Sequence, residues 1–368
     1  MLYVLKASSI YTGHEKLDGK ALIIDDDIIK EIVDEKDIPA NVEIAYYEGC
    51  VIAPGLIDLQ IAGGGGYLFS ENPSAVALDA MAESILKSGT TAFLVAVPTN
   101  SFDAYRRMFE VLKKHPHPAV LGLHLEGPYI NRERGGAHNM KYIRKADKNE
   151  LKKLLDEAGG VIKMMTIAPE LCDAEFIELL NSYGIVVAAG HSNANFREAM
   201  AGFKRGVSTS THLFNAMTPF HHRDPGLPGA TFLSDNACAS IIADGIHVNY
   251  STVSLVKKIM KERLFLVSDA VEAHAGGAYP HVRKDDRFTL PDGTLSGSSL
   301  NMIRAVQNCI EHAGIPFGEA LRMASLYPAR LMGLAGYGII EEGCKANITV
   351  FDDKYSIKQV ISNGHICL

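Results

Sequence analysis

A chain of 368 residues with 47% hydrophobic content can bury a large core, and one large domain with a small companion is the natural division. Its formal net charge of −7 and the lack of a long lysine and arginine block argue against nucleic acid or an anionic membrane as partner. A small-molecule substrate fits better. The cysteines, Cys50, Cys172, Cys238, Cys309, Cys344 and Cys367, are scattered without a C-x-x-C pair, so reduced thiols in a cytoplasmic protein are expected rather than a disulfide framework. The opening MLYVLKASSIYTG holds one lysine and no apolar signal core, and nowhere do about 18 apolar residues run together. Neither secretion nor membrane insertion is expected.

Both ends read as β-rich. Near the start, "KALIIDDDIIKEIVDE" is two apolar runs around an acidic turn, a hairpin pattern. Toward the end, "GIIEEGCKANITVFDD" and "IKQVISNGHICL" read the same way, with Asn363-Gly364 supplying a favoured hairpin turn. The simplest arrangement joins residues 1–52 and 336–368 into one discontinuous β-sandwich domain. Between them, residues 53–335 carry eight short apolar or β-branched runs: 55–60, 92–98, 119–126, 163–169, 185–191, 208–213, 239–245 and 264–270. Segments such as ELKKLLDEAGG and NFREAMAGFKRG intervene at helical spacing and finish on glycine. This is the pattern of a (β/α)8 barrel, an α/β fold.

Such a barrel gathers its chemistry at the C-terminal ends of its strands. Those ends are Gln60, Thr99, Glu126, Glu170, His191, His212, Asp244 and Asp269. Glu126 in "HLEGPY", His191 in "AAGHSNA" and His212 in "STHLFNAM" offer one carboxylate and two imidazoles, a set suited to a divalent ion such as zinc or iron. Each alone reads more readily as a hydrogen-bonded structural residue. Asp269 in "LVSDAVEA" is either a helix N-cap or a general base beside metal-acidified water, which an ordinary ionised aspartate would deprotonate. Arg223, in "HHRDPGLPGA", is either an anion binder or a surface ion pair. His138 and His247 are loop histidines or substrate contacts. The run "AGGGGYLF" misses the dinucleotide fingerprint, because the third glycine would fall at Phe69, and reads as close backbone packing. In "TLSGSSLNM", Ser296 or Ser298 reads as a helix cap rather than a nucleophile.

In order along the chain, "APGLID", "HLEGPYI", "GAHN", "AGHSNA", "THLFNAM", "RDPGLPGA", "IADGIHV", "SDA", "LSGSSL" and "SLYPAR" resemble the motifs of N-acetylglucosamine-6-phosphate deacetylases of the amidohydrolase superfamily. The resemblance runs from about residue 50 to the end. It implies metal-dependent hydrolysis of an acetamido sugar phosphate to amine and acetate. Glu126, His191 and His212 would hold the metal, and Asp269 would be the catalytic acid and base. His138 would polarise the acetamide carbonyl. Ala137, His138, Asn215, Ala216, Arg223, His247 and the Leu295-Ser296-Gly297 loop would bind the sugar phosphate. A homodimer is implied, in which Arg223 reaches into the neighbouring subunit.

Members of this family with His-x-His after "APGLID" hold a second metal, and members with Gln-x-Asn work with one. This chain reads Gln60-Ile61-Ala62, so one metal is expected, zinc first and iron second. A water beside Gln60 would fill the space next to Ala62. The competing readings are the galactosamine-6-phosphate epimer as substrate and a metal-free binding protein on the same barrel. The segment "AVEAHAGGAYPHVRKDDRFTLPDG" after Asp269 is where a difference between the two epimers would arise.

Overall fold

The computed structural model describes residues 2–368. Eight parallel strands follow one another around a barrel: Leu56–Ile61, Thr90–Pro98, Val120–Glu126, Ile162–Ile167, Val186–Ala189, Thr209–Ser210, Cys238–Ile241 and Leu264–Leu266. The last returns to the first, since Asp269 N–H donates to Gln60 O at 2.9 Å and Ala62 N–H to Ala270 O at 2.8 Å. All eight expected runs are strands. The later ones are shorter than their apolar runs, however, because the chain turns over the barrel mouth before reaching His191, His212 or Asp269.

Every residue of the first strand is buried, as in a parallel sheet covered on its outer face by helices. The helices begin where a polar side chain caps free N–H groups. Ser74, Ser101, Asp147 and Asp173 each accept from the third residue onward, and Asn195 with Glu198 forms a reciprocal capping box. The helix Lys148–Ala158 stops at Gly159, whose φ of +61° suits the left-handed cap. The inward faces of these helices supply Leu78, Met81, Phe109, Leu154 and Phe176 to one continuous core with the strands.

Strands from both chain ends share a second sheet. Glu43–Pro54 lies between Leu2–Tyr11, to which it is parallel, and Ile348–Phe351, to which it is antiparallel. It then runs through Gly55 straight into the barrel. A Cβ on Gly55 would sit 2.0 Å from Thr91 Oγ1, so only glycine passes there. The early hairpin forms from Lys20–Asp25 and Ile28–Asp34. Asn363-Gly364, with φ of +50° and +81°, turns Ile357–Ser362 onto His365–Ile366.

Two local expectations fail. The run GIIEEG is not a strand, because its backbone bonds go singly to separate partners: Ile340 N–H to Thr12 O and Gly343 N–H to Ile29 O. Neither Ser296 nor Ser298 caps a helix, since both lie in the strand Leu295–Ser298 and Asn301 caps the helix that follows. That strand completes a three-stranded flap with Val282–Lys284 and Arg287–Thr289, inserted after the eighth barrel strand. The four-glycine run forms a tight hairpin, Gly63–Gly64 against Tyr67–Leu68, packed on the first barrel helix. Among the described residues no helix is long and apolar enough to cross a membrane.

Candidate functional site

At the rim, backbone strain collects where the sequence placed the chemistry. His191, His212, Ala216 and Asp269 have φ of +47°, +32°, +48° and +51°, a region that side chains other than glycine seldom occupy. Specific bonds hold these turns. Asn131 N–H donates to His191 O at 2.8 Å, and His212 N–H donates to Ser240 Oγ at 2.7 Å. Each strand end is thereby bent back over the mouth.

The bends bring three ligand-type side chains together. Glu126 Oε2 lies 3.5 Å from His191 Nε2 and 3.5 Å from His212 Nε2, and the two nitrogens are 3.1 Å apart. All three side chains are buried, and among the described residues they form the one group of three or more with metal-ligand donors so close. Burial alone would raise the Glu126 carboxyl, but the bonds to His191 and His212 outweigh it and hold the group well below its usual range. His191 Nδ1 sits 3.0 Å from Arg134 O, and a carbonyl can only accept, so Nδ1 carries a proton and Nε2 is the nitrogen turned toward the cluster. A tetrahedral ion about 2.05 Å from two imidazoles would set their nitrogens about 3.3 Å apart. The donor set therefore fits a divalent ion. His212 is less completely tied, because its buried Nδ1 has no partner.

Asp269 faces this cluster and caps no helix. Burial first, then the negative charge on Glu126, pushes its carboxyl up to about 7, above the ordinary aspartate the sequence suggested. A base poised near neutrality is better matched to moving a proton both ways. Gln60 Nε2 donates to Asp269 Oδ1 at 3.0 Å. This amide orients the aspartate. Ala62 packs with Leu68, Ala96 and Tyr279 and also lines the cavity described below.

His138 is buried, and burial first, then the nearby His191, keeps its imidazole neutral. Thr99 N–H donates to its Nδ1 at 3.2 Å, which leaves the proton on Nε2. His247 Nδ1 donates to Asp244 Oδ2 at 2.6 Å, while Asp244 Oδ1 also accepts the Ile246 and His247 N–H groups. Asn215 donates from Nδ2 to His212 O and Leu213 O, leaving its Oδ1 for a ligand.

These groups line one cavity of 260 Å³. Of the predicted site residues it collects Glu126, Ala137, His138, His191, His212, Asn215, Ala216, His247, Asp269, Leu295, Ser296 and Gly297. Arg223 is the exception: it is exposed on the loop after the sixth strand and lies outside the cavity of its own chain. A larger, open groove of 550 Å³ is lined by Lys87 at the end of the first helix and by Arg283 of the flap but contains none of the ligand cluster. Four supporting roles went unassigned in the sequence. Thr99 and Asp244 carried a signal, since each closes a barrel strand. Tyr279 and His281, which also line the cavity, carried none, because the flap has no periodicity to place them.

Residues 51–367 match the model of the amidohydrolase family, and residues 2–52 match that of the NagA composite domain. The N-acetylglucosamine-6-phosphate deacetylase of Haemophilus influenzae is 37% identical over 381 residues, 99% of each chain. A solved structure of the same enzyme from Pasteurella multocida is 35% identical, with a TM-score of 0.95 over 100% of this chain and 99% of that one. A mutant from Mycobacterium smegmatis, solved with N-acetyl-D-glucosamine-6-phosphate, is 27% identical, with a TM-score of 0.93 over 100% and 99%.

Proposed function

This chain belongs to the amidohydrolase family, and from that premise we infer that it hydrolyses N-acetylglucosamine 6-phosphate to glucosamine 6-phosphate and acetate. The observation that carries the reading is the convergence of Glu126, His191 and His212 beside Asp269 and a neutral His138 in one cavity. A metal-free binding protein has no need of that set.

Glu126, His191 and His212 would hold one divalent transition ion, zinc by preference with iron second. When bound, the ion acidifies water and polarises the acetamide carbonyl. Asp269 takes the proton of the attacking water. It then delivers that proton to the amine nitrogen as the C–N bond breaks and acetate forms. His138 donates from Nε2 to the carbonyl oxygen as negative charge grows there, a contribution of about 3 kcal/mol for a well-placed donor. Asn215, Ala216, His247 and the Leu295-Ser296-Gly297 backbone hold the sugar phosphate, so binding energy remote from the amide orients it.

Arg223 of a second copy completes the phosphate subsite, which accounts for an arginine in a binding motif that is exposed and lies outside its own cavity. The six free thiols suit a reducing, cytoplasmic setting.

The test is elemental analysis of the purified protein and of His191→Ala, with acetate release from N-acetylglucosamine 6-phosphate assayed on the same samples. About one ion per chain is expected, lost together with activity in the variant. Wild-type protein that carries metal and releases no acetate overturns the reading.

A further inference from the structure

The flap contributes two aromatic side chains to the cavity, and only one is fully engaged. Tyr279 donates its hydroxyl to Thr99 O and lies 3.4 Å from Asn139 N–H, while its own N–H and that of Ala278 are held by Glu71 Oε1 at 3.2 and 2.9 Å. Both hydrogen-bonding capacities of its hydroxyl face protein. His281, two residues on, lies on the same wall with its ring nearly parallel to that of Tyr279, at 16° and 6.4 Å between centroids. Its Nδ1 meets Ser296 Oγ at 3.0 Å, and its carbonyl accepts the His274 N–H at 3.0 Å. Its Nε2 has no partner among the described residues. His281 as a residue is 6% exposed and lines the cavity, so Nε2 belongs to an oriented ring at the cavity wall.

Resting on the deacetylase reading, we propose that His281 Nε2 hydrogen-bonds a hydroxyl of the sugar ring and helps set which sugar the site accepts. Three features point to a hydroxyl. The acetamide end is already furnished by His138, Asp269 and the ligand cluster. The phosphate subsite is assigned to Asn215, Ala216, His247 and the Leu295-Ser296-Gly297 backbone, and the Ser296 hydroxyl is already spent on His281 Nδ1. Burial holds the His281 imidazole down at about 4, so at neutral pH it is uncharged, poorly suited to a phosphate and well suited to a neutral hydroxyl that both gives and takes a hydrogen bond. The Ser296 contact fixes the ring without consuming Nε2. A site that buries such an atom disfavours a sugar with no hydroxyl there, because the atom is then left dry and unpaired. Of the flap residues beyond Val271 and before Thr294, Tyr279 and His281 are the two that line the cavity, which narrows the region expected to separate the epimers to one unengaged side chain.

The experiment compares kcat/KM of wild type, His281→Phe, His281→Ala and His281→Gln, each loaded with metal. The substrates are N-acetylglucosamine 6-phosphate, its 1-, 3- and 4-deoxy analogues and unphosphorylated N-acetylglucosamine. His281→Phe should lose about tenfold to a hundredfold on the parent sugar phosphate. That loss should shrink to less than about threefold on the one deoxy analogue lacking the contacted hydroxyl. Equal losses on the parent and all three deoxy analogues overturn the proposal, as does no loss on the parent. So does a loss that disappears only when the phosphate is missing, which would place the contact there instead. If the phenylalanine variant melts early or lacks metal, the same pattern is read from His281→Ala, while His281→Gln, which keeps a polar atom, should lose less than either on the parent. Failure of the wild type to release acetate from any of these substrates would instead remove the deacetylase reading, so the two failures are distinguishable.

Discussion

Lys257, Glu319, Arg322 and Tyr327 on the outer helices form a charged cluster that completes itself, whereas Glu126, His191, His212 and Asp269 at the rim do not. In the outer cluster Glu319 accepts from Lys257, from Arg322 Nε at 2.9 Å and from the Tyr327 hydroxyl at 2.8 Å. Lys257 also stands 4.9 Å over the Tyr327 ring. Opposite charges alternate and each side chain meets a complement. At the rim, two imidazole nitrogens face each other at 3.1 Å, and Asp269 is pushed up partly by the negative charge on Glu126. Like groups crowd together on backbone that is itself strained. The outer arrangement minimises free energy within the chain; the rim arrangement makes sense through what it binds and turns over.

If that contrast is right, a substitution at the rim damages catalysis and one in the outer cluster damages stability. Asp269→Asn keeps the size of the side chain and removes its proton exchange, so kcat should fall about a thousandfold with metal content unchanged. Acetate release by the metal-loaded variant measures this. Retention of more than a few per cent of wild-type turnover would remove Asp269 from the assigned role.

Glu319→Gln leaves Lys257 and Arg322 without their carboxylate in a largely buried position. Removing one partner of such a pair should lower unfolding free energy by about 3 kcal/mol, toward the small end of the range because Glu319 retains some exposure. Urea unfolding reads the stability change, and kcat per folded molecule should stay within about twofold. The pH dependence sharpens the same point. Burial alone would raise the Glu319 carboxyl, but bonds from Lys257, Arg322 and Tyr327 outweigh it and bring it from 4.5 down to about 2. A depressed carboxyl stabilises fully above its unfolded value and loses that contribution as pH falls through the folded one. The stability gap between wild type and Glu319→Gln should therefore be widest at neutral pH and close steadily between about pH 4.5 and 2. A gap that is constant across that window would mean the carboxylate is not what the cluster depends on.

How far all this was legible in the sequence follows from what carries the information. The barrel was readable because eight apolar runs alternate with helices punctuated by glycine, and each run is long enough to register a period. The ligand residues were readable because Glu126, His191 and His212 close three of those runs. The left-handed turns at His191, His212 and Asp269 were not, since no glycine marks them and hydrogen bonds from distant segments impose them. Arg223 was placed in the site by its motif, but its own chain leaves it exposed. The role of His281 depends on the flap's return over the mouth, a tertiary fact with no local signature. Gln60 was noticed for the histidine it replaces, and what it does became visible only through Asp269.

That last pair supplies the finest test of the comparison. Gln60 Nε2 can only donate, and Asp269 Oδ1 receives it at 3.0 Å, so the bond survives while the carboxylate is ionised and also while the other oxygen carries the proton. It fixes which oxygen is free to exchange. Gln60→Leu removes the donor at similar volume without removing any proposed metal ligand. The expected result is a kcat about tenfold lower, one lost positioning bond of about 1.4 kcal/mol, with KM and metal content within about twofold of wild type. A merely structural role would instead lower the melting temperature and leave kcat per folded molecule intact. Gln60→Glu separates the two further: it keeps shape but sets a second carboxyl against Asp269. The lower limb of the kcat profile should then move to higher pH, because an added negative neighbour makes Asp269 harder to ionise. An unmoved profile would show that residue 60 does not act through Asp269.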